Sequence, residues 1–105
     1  MPTWEDCDNL ITRLRILPEP GISEVPSMEL CRTAREMLRL RRQDGHLPPE
    51  KIEASQSGEI RMDWFGAEHV VAFIEKPGIV DWTTASKPSP EAEWQHKFWV
   101  QTVAY

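Results

Sequence analysis

The sequence predicts an α+β domain, with two N-terminal helices packed on one face of a four- or five-stranded antiparallel meander sheet. Three observations predict it. Apolar residues recur at helical spacing as far as residue 44 and at alternate positions from residue 51 onward. The change falls at "HLPPE", whose two prolines interrupt any helix. The alternating runs are joined by very short turns, and connections of that length permit only antiparallel hairpins. At 105 residues the chain fits one domain, 1–105, and leaves no room for a second core.

Thr3 followed by Asp6 predicts a capped helix start with acids in the first turn. Cys7, Leu10, Ile11, Leu14 and Leu17 then form one apolar stripe, and Pro18 and Pro20 end it. Residues 18–26, "PEPGISEVP", are a connection punctuated by proline and glycine. Ser27 caps the second helix, and Glu29 suits the positive end of its dipole. Leu30, Cys31, Ala34, Met37, Leu38 and Arg41 share one face, with Leu40 at its flank. Asp44-Gly45 closes the helix, glycine entering the left-handed turn without strain. The length is about 16 residues, or about 24 Å.

The strands follow at 51–55, 59–65, 68–76 and 79–85, with turns at Gln56-Ser57-Gly58 and Pro77-Gly78. In "SGEIRMDWFG" Glu59, Arg61 and Asp63 take one face while Ile60, Met62 and Trp64 take the other. In the tail, Ser89-Pro90-Glu91 reads as a helix start, whereas "HKFWVQTVAY" has the aromatic and β-branched content of a strand. The expectation is a brief helical turn near 90–95 followed by a fifth strand. A sheet with one apolar face must be covered, and the two helices are the only available material. The predicted core therefore sets both helical stripes against Ile52, Ile60, Met62, Trp64, Val70, Ala72, Ile74, Val80 and Trp82.

The succession of a helix, "LPPEKI", "SGEIRMDWF" and "VVAFIEKPG" resembles a scattered set of small uncharacterised bacterial proteins. They share a Pro-x-x-Ile strand entry, a Gly-x-Ile-x-(Leu or Met)-x-Trp strand, and a valine/isoleucine strand after it. Pro49, Ile52, Gly58, Ile60, Met62 and Trp64 carry the resemblance, which spans residues 30–82. It implies the fold. The group has no established activity, so the resemblance implies no catalytic residue.

Composition narrows the function classes. Hydrophobic residues at 40% and charged ones at 28% are ordinary for a globular protein, but five tryptophans in so short a chain are not. Each large aromatic buries about 150–250 Å², so a few of them fill much of a small core or furnish a contact surface. A net charge of −5 argues against a generic nucleic-acid coat. Charge is segregated, however. Residues 27–44 hold five arginines against three acids, a local +2, so the remainder carries −7. The N-terminus "MPTWEDCDNL" is acidic where a signal peptide needs cations, and no apolar run approaches the about 18 residues of a membrane span. Two cysteines make no disulfide scaffold. The expectation is a reduced, cytoplasmic protein without membrane association.

Arg32, Arg35, Arg39 and Arg42, spaced 3, 4 and 3, fall on one helical face. That spacing reads either as a solvated face paired with Glu29 and Glu36 or as an anion-recognition stripe, since guanidinium groups fork onto carboxylates and phosphates. His46, His69 and His96 show no metal-ligand spacing, so no metal or cofactor is expected. His69, entering a strand, is the histidine of most interest. Cys7 lies between Asp6 and Asp8, which disfavour its thiolate, and Cys31 lies on an apolar stripe. No phosphate-binding loop or nucleophile elbow occurs. Glu59 and Asp63 stand about 13 Å apart on a strand, beyond the about 5–9.5 Å of paired catalytic acids. Arg61 between them, extended by Glu53 across the strand pair, gives simple charge pairing on a solvated face.

Trp94, Phe98, Trp99 and Tyr105 crowd the tail, and Phe65 and Phe73 belong to the sheet face away from the helices. Either the tail packs across that second face, or an aromatic patch stays open for a partner. The function expected is therefore that of a non-enzymatic interaction or regulatory accessory protein. Its partner is another protein or a second copy of the chain, met through Arg32, Arg35, Arg39, Arg42, Trp94, Phe98 and Trp99. Two alternatives stand beside this. One is nucleic-acid binding through the arginine-rich helix 28–43. The other is a small-molecule pocket between helices and sheet, lined by Met37, Met62 and the tryptophans.

Overall fold

The computed structural model describes residues 2–105. Helix α1 spans Trp4–Ile16 and helix α2 spans Met28–Gln43. Both begin where short polar side chains satisfy the free amides of the first turn. The Asp6 N–H donates to Thr3 Oγ1 at 3.1 Å while the Thr3 N–H donates back to Asp6 Oδ2 at 2.9 Å, a closed capping box. Ser27 Oγ accepts from the Leu30 N–H at 3.1 Å.

Five strands follow: β1 (Lys51–Ala54), β2 (Ile60–Trp64), β3 (Glu68–Lys76), β4 (Ile79–Ser86) and β5 (Gln95–Thr102). They lie in the order β1-β2-β3-β4-β5, each antiparallel to the next, so the sheet is a five-stranded meander. Both helices cover the same face, α1 against β1 and α2 against β3 and β4. The register Ile52↔Met62↔Ala72↔Trp82 runs a row of core side chains across four strands. Cys7, Ile11, Cys31, Ala34, Met37 and Leu38 close over that row.

Two glycines tie the layers together. Gly58, at φ +82°, ends the β1–β2 turn so close to the α1–α2 connection that a Cβ would lie 3.0 Å from the Val25 carbonyl oxygen. Only glycine fits there. Gly78, at φ +76° in the β3–β4 turn, donates its N–H to Thr33 Oγ1 at 2.9 Å. Thr33 in turn donates to the Glu29 carbonyl at 2.8 Å, so the buried hydroxyl donates within α2 while accepting from the sheet.

Two of the expected elements differ in the structure. Leu17 is exposed, because α1 ends at Ile16 and Leu17 is its C-cap rather than the last residue of the apolar stripe. Residues 90–95 form no helix. Pro88 and Pro90 limit this segment to one turn, closed by the Ala92 N–H on the Ser89 carbonyl at 3.1 Å, and the chain then enters β5 directly. Val103, just past β5, also belongs to the buried core.

Candidate interaction surfaces

The arginines of α2 are divided between internal and external duties. Arg35 donates through Nε to Asp8 Oδ1 at 2.7 Å and through Nη2 to Thr12 Oγ1 at 2.6 Å, pinning α1 to α2. Arg39 Nε donates to both carboxylate oxygens of Glu36, at 3.1 and 3.0 Å. The hydrogen bonds from Arg39 hold the Glu36 carboxyl below its ordinary pKa. Arg32 and Arg42 are exposed and form no ion pair among the described residues. The four-arginine stripe is therefore half occupied by carboxylates of its own chain. Arg41, on the covered face, lies with its guanidinium 4.5 Å from the Trp64 ring centroid and 4.9 Å from that of Trp82. Burial lowers its pKa against the pull of Asp44.

The charged row of β2 is not simply a solvated face. Asp63 is 1% exposed. It accepts from Arg61 Nε and Nη2 at 3.1 and 3.0 Å and meets His69 Nε2 at 2.9 Å. Burial by itself would raise the Asp63 pKa, but the hydrogen bonds from Arg61 and His69 outweigh it and hold the carboxyl below its usual value. His69 also stacks on Phe65, with centroids 4.8 Å apart. The row continues outward, since Glu53 lies 3.9 Å from Arg61 and 3.4 Å from Lys51. The register Glu53↔Arg61 explains the first of these contacts.

At the opposite edge, β5 carries the aromatic tail. Trp99 stacks on Trp82, with centroids 5.8 Å apart and planes 7° off parallel, and Trp82 in turn lies 5.4 Å from Trp64. Gln101 Oε1 accepts from the Trp82 indole at 2.9 Å. Lys97, Trp99 and Gln101 thus take the helix side, and His96, Phe98, Val100 and Thr102 the far side. Neither side is covered: Phe98 is 74%, Val100 65% and Trp99 45% exposed. Trp94, on the approach to the strand, is exposed as well. The tail extends the sheet instead of folding across its second face.

The backbone of β5 is open in the same direction. The Val103 N–H donates to the Gly78 carbonyl at 2.8 Å. By the alternation of an antiparallel ladder, odd-numbered residues of β5 bond toward β4. The N–H and C=O groups of His96, Phe98, Val100 and Thr102 then point away from the sheet.

Met37 and Met62 are fully buried, and a cleft of about 520 Å³ lies elsewhere, between the end of α1 and β1, lined by Leu10, Leu14, Ile22 and Ile52. Cys7 and Cys31 are unpaired and buried. Burial, with Asp6 adding to it, pushes the Cys7 thiol up to about 11, and burial raises that of Cys31 against the pull of Arg35 and Arg15. No group of three or more metal-ligating side chains is gathered among the described residues, and no helix there is long and apolar enough to cross a membrane. No protein-family model, curated protein or solved structure matches the chain.

Proposed function

We propose that the chain is a non-enzymatic interaction protein that takes up an extended protein segment along the open edge of β5. The observation that carries this reading is an eight-residue edge strand with apolar side chains exposed on both of its faces. Such an edge is a ready template for strand addition, and natural sheets blunt their edges when no partner is intended. The strand supplies main-chain hydrogen bonds for affinity, and Phe98, Trp99 and Val100 supply apolar contact for specificity.

Two further features support a binding role over catalysis. Both thiols are buried with raised pKa values, which suppresses the nucleophilic thiolate. The Asp63 carboxylate is engaged by Arg61 and His69, and the imidazole is packed on Phe65. Unpaired cysteines accord with a reducing, cytoplasmic setting. Nucleic-acid binding through α2 is less well supported, because Arg35 and Arg39 are bound to carboxylates of the same chain and the net charge is −5. Arg32 and Arg42 remain for an acidic partner.

The test is site-specific photo-cross-linking in the native cell. A photoreactive side chain at position 98 is expected to yield a dominant protein adduct, and one at position 53 on the opposite edge none. Absence of an adduct at position 98 contradicts the reading.

A further inference from the structure

We infer that the partner of β5 is a second copy of this chain, paired antiparallel to it about a twofold axis at Trp99, so that two five-stranded sheets join into one. This inference rests on the reading of β5 as a docking edge and names its occupant.

Backbone geometry limits the registers. Outward N–H and C=O groups belong to His96, Phe98, Val100 and Thr102, so hydrogen-bonded pairs across a twofold axis must join even-numbered residues to even-numbered residues. An axis at Trp99 pairs His96 with Thr102 and Phe98 with Val100 of the other copy, twice over. All four outward residues then find partners inside β5. Moving the axis to Phe98 sends Thr102 against Trp94, outside the strand, and moving it to Val100 sends His96 against Ala104. The length of β5 and its alternation thus single out one register.

Side-chain chemistry agrees with that register. The only residue of β5 charged at all ordinary pH values, Lys97, stands opposite Gln101 of the other copy and not opposite another lysine. On the far face, Phe98 and Val100, the two most exposed apolar side chains of the strand, cover one another across the pair. On the helix face, Trp99 meets Trp99 of the second copy at a non-hydrogen-bonded position, where Cβ atoms lie about 4.5–5.5 Å apart. Trp99 already stacks on Trp82, and Trp82 lies against Trp64, so the aromatic row continues from one copy into the other. The helices stand back from this edge, over β1, β3 and β4, and leave room for a second sheet.

The experiment uses the purified full chain, with mass measured by light scattering from low to high micromolar concentration. The wild type is expected at twice the monomer mass. Val100→Pro removes an outward N–H without touching the ladder to β4. It is expected to weaken the dimer at least about tenfold, since the axis places that N–H in the interface twice. Should Val100→Pro fail to fold, a double substitution of Phe98→Lys with Val100→Lys carries the same expectation. Trp99→Cys is expected to form an intermolecular disulfide on oxidation, because Cβ spacing at that position approaches the about 3.5–4.5 Å a disulfide needs. Phe98→Cys, facing Val100, is expected to form little.

A monomer throughout the concentration range overturns the inference. So does a dimer indifferent to the β5 substitutions and to cysteine at position 99, which signifies pairing through another surface. A monomer whose position 98 still cross-links to a different protein in the cell overturns self-pairing and leaves the docking-edge reading standing. A monomer without any adduct removes both.

Discussion

β1 and β5 both lie at the edge of the sheet, but they are made of different material. β1 has four residues, follows Pro48-Pro49, alternates Lys51 and Glu53 with Ile52 and Ala54, and lies under α1. β5 has eight residues, one lysine and no proline, and leaves Phe98, Trp99 and Val100 exposed. Shortness, prolines, charge and a covering helix are the devices by which sheets keep strangers from adding to an edge. β1 uses all four, and β5 uses little more than Lys97. Behind β1 also stands the charged row Lys51–Glu53–Arg61–Asp63–His69, for which β5 has no counterpart. On the reading proposed above, the blunted edge faces solvent and the apolar edge meets a partner.

The comparison breaks first at the backbone. Gln101→Pro removes a ladder N–H between β5 and β4 together with the acceptor of the Trp82 indole, and is expected to cost on the order of 2–4 kcal/mol of stability. Val100→Pro, one residue away, removes an outward N–H and is expected to cost under about 1 kcal/mol in the dilute monomer. Urea unfolding measures both. Equal losses show that the outward and inward faces of β5 have been assigned wrongly.

The charged row behind β1 sharpens the comparison by its response to acid. The folded-state pKa of Asp63 is lowered from the ordinary 3.8. Its stabilising contribution is therefore complete above that value and is lost as the pH falls through the folded-state pKa. Acid below about pH 4 is expected to loosen β1 and β2 by this route while leaving β4–β5 contacts intact. Asp63→Asn is expected to cost about 1–3 kcal/mol at neutral pH, and to flatten the acid limb of the stability curve. An unchanged acid limb in the variant rules Asp63 out as its source.

The smallest effect belongs to the clamp that pins α1 to α2. Arg35 and Asp8 are both substantially exposed, so Arg35→Ala is expected to cost under about 1 kcal/mol, less in high salt. A larger, salt-independent loss assigns Arg35 a packing role instead.

Local structure was legible in the sequence because its causes are local. Thr3 with Asp6 and Ser27 mark both helix starts through contacts three residues apart, and the alternation Ile60, Met62, Trp64 marks the covered face of β2. The destinations of charged side chains are not local. Arg35 finds Asp8 at 27 residues' distance. Asp63 occupies the polar phase of its strand, yet Arg61 and a histidine from β3 enclose it, which alternation within β2 alone does not reveal. His69 stood out in sequence by its position, but its carboxylate partner was fixed only by the hairpin. Leu17 kept the helical spacing and fell outside the helix. Phe98 and Trp99 were legible as surface candidates. That they belong to an open edge, and not to a strand covered by the rest of the chain, depends on sheet order.

Amide hydrogen exchange at Phe98 and Val100, followed as a function of protein concentration, tests the central claim most directly. Both N–H groups point away from β4, whereas those of Trp99 and Gln101 point toward it. If β5 pairs with its own copy, the Phe98 and Val100 amides exchange slowly in concentrated solution, as slowly as their neighbours, and become fast on dilution. Fast exchange of Phe98 and Val100 at every concentration, beside a protected Trp99 and Gln101, contradicts it.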